Sequence, residues 1–350
     1  MPLPGQGAVP TGALYTELTA VNRRAFVPRL FVQIYFATPT LMYLLGGAQK
    51  SAGGLSQITI PTQGQSMVQG QFTGYGGGFN APVITPGVQN AQFPTVYWVV
   101  PVPLPFGETV IQATDREISL LKARMNDVWA VTVQNMGGLV FSNNNTQTNT
   151  LLPNSFYDAF DNGSNVAVYG GINRNAPGNT SWQGQTIAGS TITSASGTVA
   201  SYGFTRAAMS AALIQMTDAA GGEAPTMVAL NPQDFSFLNR DLIATETNFL
   251  RPGNTYEMST PVRSSFPNLN IAGVPIYADH WCPQGTGFFV NNKYTAMYLS
   301  EDAAFDFSGF YSLIPLGQIG QQGVVVTGYN IITAKPVANA TVTGIHAGGY

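Results

Sequence analysis

Charged residues are scarce in this sequence. Asp, Glu, Lys and Arg make up 9% of the 350 residues, against about 25% in an average soluble domain. A free monomer keeps itself soluble with interspersed surface charge, whereas 44% of this chain is hydrophobic. We therefore expect much of the surface to face other protein in the working state.

The longest uncharged stretch runs from Ser51 to Gly107 and contains no Asp, Glu, Lys, Arg or His. The runs "LSQITI" and "TVYWVVPVPL" are rich in β-branched and aromatic residues, which favour strands, and turn-forming residues fill the segment between them. The pattern predicts a hairpin arm whose limbs, at roughly 25 residues each, could extend up to ~80 Å. Because the arm is too long to fold onto its own body and too uncharged to stand in solvent, we expect it to lie on another copy of the chain.

Other absences exclude whole classes of protein. No apolar run reaches the length of about 18 residues that predicts a transmembrane helix, and no basic start followed by an apolar block predicts secretion. The single cysteine, Cys282, cannot form an intrachain disulfide. The net charge of −3 comes without the basic stripe that tracks a phosphate backbone. We therefore expect a chain that folds in the cytoplasm, with no membrane partner and no dedicated nucleic-acid site.

The two histidines, His280 and His346, offer little for metal or catalytic chemistry. His280 and Cys282 could supply two metal ligands, but a site needs three or four and no second pair exists. We interpret His280 as a turn residue beside a buried thiol and His346 as a residue of the C-terminal tail. The sequence predicts no metal-binding residues and no cofactor.

Three further patterns resemble functional motifs, but we interpret each of them as a structural feature. The carboxylate pairs Glu301/Asp302 and Asp158/Asp161 flank turns or helix starts. The glycine-rich segment Gly74–Gly78 is not followed by a helix whose amides could hold phosphate, so we interpret it as a loop tip. The sequons at Asn144, Asn179 and Asn339 carry no meaning without a secretion signal. The sequence therefore predicts no catalytic and no cofactor-binding residues, and a chain that is not an enzyme.

One long amphipathic helix is predicted over "TDREISLLKARMNDVWAVTVQNM". Thr114 and Glu117 have capping-box spacing, and Gly137 and Gly138 predict its end. Apolar positions recur at helical spacing: Ile118, Leu121, Met125, Val128, Thr132 and Met136.

The same spacing predicts which faces of this helix are buried. We expect Met125, Val128 and Trp129 on the packed face, where truncation of Trp129 would cost about 3–5 kcal/mol. We expect Asp115 and Arg124 near solvent or a subunit boundary.

The remainder of the chain predicts a mixed α+β architecture. Helices are expected at "SFYDAFDNG", at "TRAAMSAALIQMTDAAGG" with Thr205 as N-cap, and at "NPQDFSFLNRDLIA" with proline in its first turn. Strands are expected at "APTMVAL", in "NLNIAGVPIYADHWCPQGTGFFVNNKYTAMYLS", and as a C-terminal pair in "GVVVTGYNIITAKPVANATVTGI".

This order of elements resembles that of the major capsid proteins of tailed bacteriophages, which have the Hong Kong 97-like fold. "VYGGINRNAPGNTSW" (168–182) is similar to a Gly-Gly-Ile-x-Arg…Trp stretch of such proteins. "PTMVALNPQDFSFL" (225–238) is similar to their strand–Pro–helix segment, and the block 271–299 to a late Gly-x-Pro…Pro…Gly…Asn block. The resemblance covers nearly the whole sequence through an ordered set of motifs of moderate specificity.

The resemblance implies an α+β Hong Kong 97-like capsid fold with an N-terminal arm, an extended β-hairpin E-loop, a long spine helix, and peripheral and axial domains. The N-terminal arm would be 1–50 and the E-loop 51–107. The peripheral domain, with the spine helix and the C-terminal strands, would comprise 108–150 and 311–350. The segment 151–310 would be mostly the axial domain.

The function implied is a major capsid protein that assembles with itself, through hexamers and pentamers, into an icosahedral shell around double-stranded DNA, which it contacts without sequence-specific binding. The shell would be assembled in the host bacterial cytoplasm and be part of the virion. Separate scaffolding, portal and decoration or cement proteins are the further partners implied. An encapsulin-like nanocompartment shell is the alternative, whereas an adhesin or surface-layer protein would need an export signal.

Two departures from the family pattern matter. Some members carry a cleaved scaffolding segment of about a hundred residues before the E-loop, and with roughly fifty residues before Ser51 we expect none here. Some members cross-link subunits through an E-loop lysine, and this E-loop has none.

Overall fold

The computed structural model describes residues 38–51, 56–63, 87–105, 120–143, 151–189, 193–194, 197–198, 204–246, 269–313 and 320–345. Several sequence predictions lie outside these ranges: the start of the N-terminal arm, the loop tip Gly74–Gly78, the Thr114/Glu117 capping box, Asp115, Asn144 and His346. Two compact units divide the chain. Of the described residues, unit 1 contains 99–105, 120–134, 305–313 and 320–326, and unit 2 contains the others.

The described helices include those predicted from the sequence. Their bounds are α1 (Pro39–Gly46), α2 (Leu120–Phe141), α3 (Phe156–Phe160), α4 (Arg206–Ala219) and α5 (Pro232–Glu246). Ser155 and Asp158 form a reciprocal capping box at the start of α3. The Thr205 hydroxyl accepts a hydrogen bond from the Ala208 amide at 3.3 Å, which confirms Thr205 as the N-cap of α4.

The glycine pair in α2 does not end the helix, so that prediction is wrong. The helix continues through Gly137 and Gly138 to Phe141. A Cβ at residue 137 would lie 2.6 Å from Cγ2 of Thr38, and one at residue 138 would lie 3.4 Å from the Trp281 ring. Gly137 therefore allows Thr38 to pack directly on the helix backbone, whereas a side chain at residue 138 would make ordinary contact with Trp281.

Trp129 of α2 was predicted to lie on the packed face of the helix, and this prediction is wrong. Its side chain is 49% exposed, and its ring contacts Phe305 at a centroid distance of 4.7 Å. Met125 and Val128 are half-buried. Arg124, predicted near solvent or a boundary, donates from Nη1 to the Pro103 carbonyl at 2.7 Å.

The strands are short, apart from two long ones in the first and last thirds of the described chain. Their bounds are β1 (Gln49–Ser51), β2 (Gln57–Gln63), β3 (Val88–Pro94), β4 (Val96–Pro105), β5 (Val168–Tyr169), β6 (Ile172–Asn173), β7 (Gln185–Ala188), β8 (Thr193–Ser194), β9 (Gly197–Thr198), β10 (Met227–Leu230), β11 (Leu269–Ile271), β12 (Val274–Ala278), β13 (Gly287–Val290), β14 (Thr295–Ser300), β15 (Asp306–Phe307), β16 (Tyr311–Ser312), β17 (Gly320–Thr333) and β18 (Ala340–Thr343).

A six-stranded sheet forms the centre of unit 2, in the order β11–β12–β10–β13–β18–β7. All four residues of β10 are buried, as predicted for "APTMVAL". Apolar side chains of α4 and α5 pack against this sheet in one cluster that includes Met209, Met216, Phe235 and Leu238. Because β18 pairs with β13 and β7, Ala340–Thr343 lies among strands from 151–310, whereas the sequence assigned it to the peripheral domain. The domain boundaries themselves stay predictions.

The long strand β17 organises a second sheet. In unit 2 its C-terminal part pairs antiparallel with β14, and β14 pairs in parallel with β1. In unit 1 its N-terminal part pairs with β15 and β16. Strand β4 also pairs with β17.

The predicted hairpin exists, but its second limb is a different segment. Strand β2 pairs antiparallel with β3, from Gln57 opposite Pro94 to Gln63 opposite Val88. The run "VYWVVPVPLP", which we predicted as the second limb, forms β4 instead. The limb β3 is "VQNAQFP", in which only Ala91 and Phe93 are buried. The sequence analysis did not predict β3 because most of its residues have a weak preference for strands.

Candidate functional site: the root of the hairpin

The hairpin is anchored to the rest of unit 2 by the aromatic side chain of Phe93. Phe93 is buried, and its ring lies 4.9 Å from that of Tyr169. Gly170 has a φ of +60°, and a Cβ there would lie 2.7 Å from the Phe93 ring. The Gln92 amide donates to the Gly170 carbonyl at 2.9 Å. The turn between β5 and β6 therefore needs glycine, both for its backbone conformation and for room to seat the hairpin.

Side-chain amides hold β3 near its two ends. Gln89 donates from Nε2 to Oδ1 of Asn179 at 3.0 Å. Asn330 of β17 donates from Nδ2 to the Pro94 carbonyl at 2.7 Å. The Asn330 Oδ1 atom in turn accepts from the Asn154 amide at 2.9 Å. These hydrogen bonds tie the root of the hairpin to β17 and to the loop that contains Asn179.

A buried arginine organises the turn on which the hairpin rests. Arg174 is fully buried and donates from Nε, Nη1 and Nη2 to the carbonyls of Trp182, Val166 and Ala159 at 3.2, 3.3 and 2.8 Å. Its Nη1 lies 4.0 Å from the Asp161 carboxylate. Burial lowers the pKa of Arg174 to about 10, so the side chain remains a cation at neutral pH.

Tyr169 links this arginine to the hairpin and to β17. The Arg174 guanidinium carbon lies 4.6 Å from the centre of the Tyr169 ring, within the range of a cation–π contact. The Tyr169 hydroxyl accepts from the Thr333 amide at 3.1 Å, and the Tyr169 carbonyl accepts from Trp182 Nε1 at 3.0 Å. Burial raises the pKa of Tyr169 to about 12, so the phenol stays neutral.

The carboxylates singled out in the sequence have structural positions. Asp158 accepts from the Ser155 amide and hydroxyl, both at 3.2 Å, within the α3 capping box. Asp161 accepts from the amides of Gly163, Asn165 and Val166 at 2.8, 3.1 and 2.9 Å. Glu301 and Asp302 are exposed in a 3₁₀ turn.

A groove of about 290 Å³ lies beside the hairpin root. It is lined by Pro61, Thr62, Gln63, Gln89, Ile172, Asn179, Ser181, Trp182, Tyr294, Ala334 and Lys335. At its rim Glu223 accepts from the Tyr294 hydroxyl at 2.7 Å and from Lys293 Nζ at 3.3 Å, and it lies 3.4 Å from Lys335 Nζ. The hydroxyl of Tyr294, followed by the two lysines, lowers the pKa of Glu223.

The candidate metal ligands lie in one turn. Cys282 is buried, and its Sγ lies 3.5 Å from the Thr286 carbonyl. Burial, together with Asp279 and Asp234, raises the pKa of this thiol well above its usual range. His280 is exposed and lies edge-on to Trp281. Within the described ranges, no three His, Cys, Asp or Glu side chains are grouped so that they could hold a metal.

The sequons at Asn179 and Asn339 fall on buried side chains. Asn339 accepts at Oδ1 from the Asn291 amide at 2.7 Å and from Thr295 Oγ1 at 3.1 Å. These asparagines therefore hold loops and strands together. None of the helices in the described part of the chain has the length and apolarity needed to cross a membrane.

No protein-family model and no curated protein sequence matches the chain. Its structure is nevertheless similar to a chain of the cyanophage A-1(L) capsid asymmetric unit, with a TM-score of 0.68 at 14% identity, over 94% of this chain and 99% of that one. The capsid of Myoviridae phage XM1 matches with a TM-score of 0.55 at 11% identity, over 91% and 96% of the two chains. The holo-SrpI encapsulin complex of Synechococcus elongatus PCC 7942 matches with a TM-score of 0.54 at 10% identity, over 97% and 96%.

These likenesses establish the fold. The chain has the α+β fold of tailed-phage capsid shells, the Hong Kong 97-like fold predicted from its sequence. Tyr169, Arg174 and Trp182 lie in the segment 168–182 that resembles the family, but the sequence alone indicated no role for them. The available signal was a lone arginine between glycine-rich turns in a chain with few charges.

Proposed function

We propose that this chain is a major capsid protein that self-assembles through hexamers and pentamers into an icosahedral shell enclosing the double-stranded DNA of a tailed phage. The observation that carries the proposal is the likeness of nearly the whole chain to the cyanophage A-1(L) capsid subunit. A fold alone does not define function, but the low charge of the sequence supports the same role. The chain acts as a structural protein and not as an enzyme.

The hairpin is the element that joins one copy to the next. Its root is held rigidly by Phe93, Gln89 and the Asn330–Pro94 hydrogen bond. The segment from Ser51 to Gly107 carries no charge, so its contact with a neighbour requires no desolvation of ionised groups. An arm of this kind contributes apolar contact area at about 25 cal/mol per Å².

The domains of the family carry over as part of the proposal. Residues 1–50 are the N-terminal arm and 51–107 the E-loop. The peripheral domain comprises 108–150 and 311–350, apart from Ala340–Thr343, which pairs with strands of 151–310, and 151–310 is mostly the axial domain. The shell belongs to the virion, is assembled in the host cytoplasm, and works with separate scaffolding, portal and decoration proteins. It contacts DNA without reading its sequence.

The second candidate is an encapsulin-like shell that encloses a protein cargo. The likeness to the holo-SrpI encapsulin complex favours this candidate, since one fold serves both kinds of shell.

Expression of the chain alone, followed by negative-stain electron microscopy, tests the proposal. We expect closed shells, tubes or isolated capsomers. A chain that remains monomeric at every concentration and ionic strength would contradict self-assembly. Particles purified from infected or lysogenic cells then separate the two candidates, because a phage capsid contains nuclease-protected DNA and an encapsulin contains a co-purifying enzyme.

A further inference from the structure

The chain contains a single Asn–Gly sequence, Asn162–Gly163, and it lies in the turn that follows α3. Gly163 has a φ of +95°, and a Cβ there would lie 2.5 Å from Oδ1 of Asn175. The fold therefore demands glycine at this position. As a result, no side chain shields the backbone nitrogen that follows Asn162.

Three groups lie where they can promote cyclisation of the Asn162 side chain: the Asp161 carboxylate, the Ser164 amide and the Ser164 hydroxyl. The Gly163 N–H donates to Oδ2 of Asp161 at 2.8 Å, so a proton acceptor is already in contact with the attacking nitrogen. The Asn162 Oδ1 atom accepts from the Ser164 amide at 3.0 Å and from Ser164 Oγ at 2.6 Å. These two donors stabilise negative charge on that oxygen. Asn162 itself is exposed, so water can reach it and ammonia can leave.

We propose that Asn162 is a self-modification site at which the turn promotes conversion of asparagine to aspartate and isoaspartate. The Gly163 nitrogen attacks Cγ of Asn162, forming an N–C bond, while its proton passes to the Asp161 carboxylate. Ser164 holds the developing oxyanion. The Cγ–Nδ2 bond then breaks, and the leaving group takes the proton from Asp161 and departs as ammonia. Water opens the resulting succinimide on either side, with no net oxidation or reduction.

The Asp161 carboxylate is positioned for this role by its other contacts. It accepts from the amides of Asn165 and Val166 and from Asn165 Nδ2 at 3.1, 2.9 and 3.0 Å, and Arg174 lies 4.0 Å away. These contacts hold the carboxylate in place with Oδ2 aimed at the Gly163 N–H. A fixed general base and fixed oxyanion donors accelerate a reaction because no reorganisation is needed when it occurs.

Neighbouring asparagines provide internal controls. Asn165, Asn173 and Asn175 are exposed in the same region, but they precede Val166, Arg174 and Ala176, whose side chains hinder attack by the following nitrogen. Conversion should therefore be confined to Asn162. It would place a new carboxylate beside Asp161 in the turn that supplies the Val166 carbonyl to Arg174. The inference does not depend on the proposed function.

Peptide mass spectrometry of the aged full-length chain tests the proposal. Chymotryptic cleavage after Phe160 and Tyr169 releases "DNGSNVAVY", which holds Asn162 beside its control Asn165. We expect Asn162 to convert at least about tenfold faster than Asn165, and faster in the folded chain than in the same chain kept in urea. Asn162 that persists in the folded chain while it converts in urea would overturn the proposal, because the turn would then protect it.

The variant Ser164→Ala separates catalysis by the turn from the chemistry of any Asn–Gly pair. Loss of the Ser164 hydroxyl should slow conversion of Asn162 in the folded chain several-fold and leave the rate in urea unchanged. Ser164→Thr, which keeps the hydroxyl, should retain most of the rate. An Ser164→Ala chain that folds normally and converts at the original rate would overturn the role of Ser164. Asp161→Asn should slow conversion further, and its folding is checked by circular dichroism.

Discussion

At the scale of single residues, Arg174 is the side chain that holds together the loops on which the hairpin rests. It is buried among the carbonyls of three separate segments and also lies near Asp161 and Tyr169. Because only 9% of the residues are charged, an arginine in this sequence is expected at the solvent-exposed surface. Composition could not reveal its burial, because the acceptors are backbone atoms contributed by Ala159, Val166 and Trp182.

Replacing Arg174 with alanine should therefore destabilise the subunit strongly. The change leaves three buried carbonyls without donors and the Asp161 carboxylate without its nearby cation. We expect the free energy of unfolding to fall by about 3–5 kcal/mol, as when one member of a buried ionic pair is removed. Urea unfolding of unassembled protein measures this loss.

The matched control for this experiment is Lys293→Ala. The Lys293 side chain is 66% exposed, so its removal should change the free energy of unfolding by at most about 0.5 kcal/mol. Equal effects of the two substitutions would show that the Arg174 network contributes little to stability.

At the scale of elements, the sequence predicted helices better than strand pairing. The N-cap at Thr205 and the capping box at Ser155 are local signals, and both helices begin where predicted. The partner of β2 is set by distant contacts of Phe93 and Gln89, which no local pattern contains. Likewise, Gly137 and Gly138 resemble a helix stop in the sequence, and only the structure shows that Thr38 approaches the backbone at Gly137.

The long helix α2 gives a test of the corrected burial pattern. Trp129 is half exposed, whereas Met136 has no exposed surface. Trp129→Ala should therefore cost about 1 kcal/mol in unassembled protein, while Met136→Ala should cost about 2–5 kcal/mol. Thermal unfolding of the two variants measures the difference. If Trp129→Ala lowered the stability more than Met136→Ala, Trp129 would be buried, as the sequence predicted.

The hairpin can be tested separately from the body that carries it. Replacing residues 64–87 with a two-residue turn keeps the paired residues of β2 and β3, together with Phe93 and its contact with Tyr169. We expect a folded subunit with an unchanged melting temperature that no longer forms closed shells. Electron microscopy and light scattering measure assembly, and normal particles from this variant would show that the arm does not join the copies.

At the scale of the whole molecule, we predict a shell without isopeptide bonds between subunits. The lysines of the chain are Lys50, Lys122, Lys293 and Lys335, and none lies between Ser51 and Gly107. Lys50 is exposed on β1, before the hairpin, and Lys335 lies between β17 and β18.

Particles boiled in detergent and reductant should accordingly give one band near 37.1 kDa. The Lys50→Arg variant is the control, since it keeps the charge and removes the nucleophilic amine. A ladder of covalent multimers that disappears in Lys50→Arg would identify Lys50 as the cross-linking residue and contradict the prediction.

The strand β18 has a consequence for how the molecule is made. It lies between β13 and β7 and is the strand through which β7 joins its sheet, yet Ala340–Thr343 is translated long after Gln185–Ala188. Unit 1 is likewise assembled from separate stretches that include 305–313 and 320–326. Because domains fold as units during synthesis, neither unit can be completed before these late segments have been translated. A nascent chain that still lacks these segments is therefore incompetent for assembly, which protects neighbouring chains on one polysome from premature association.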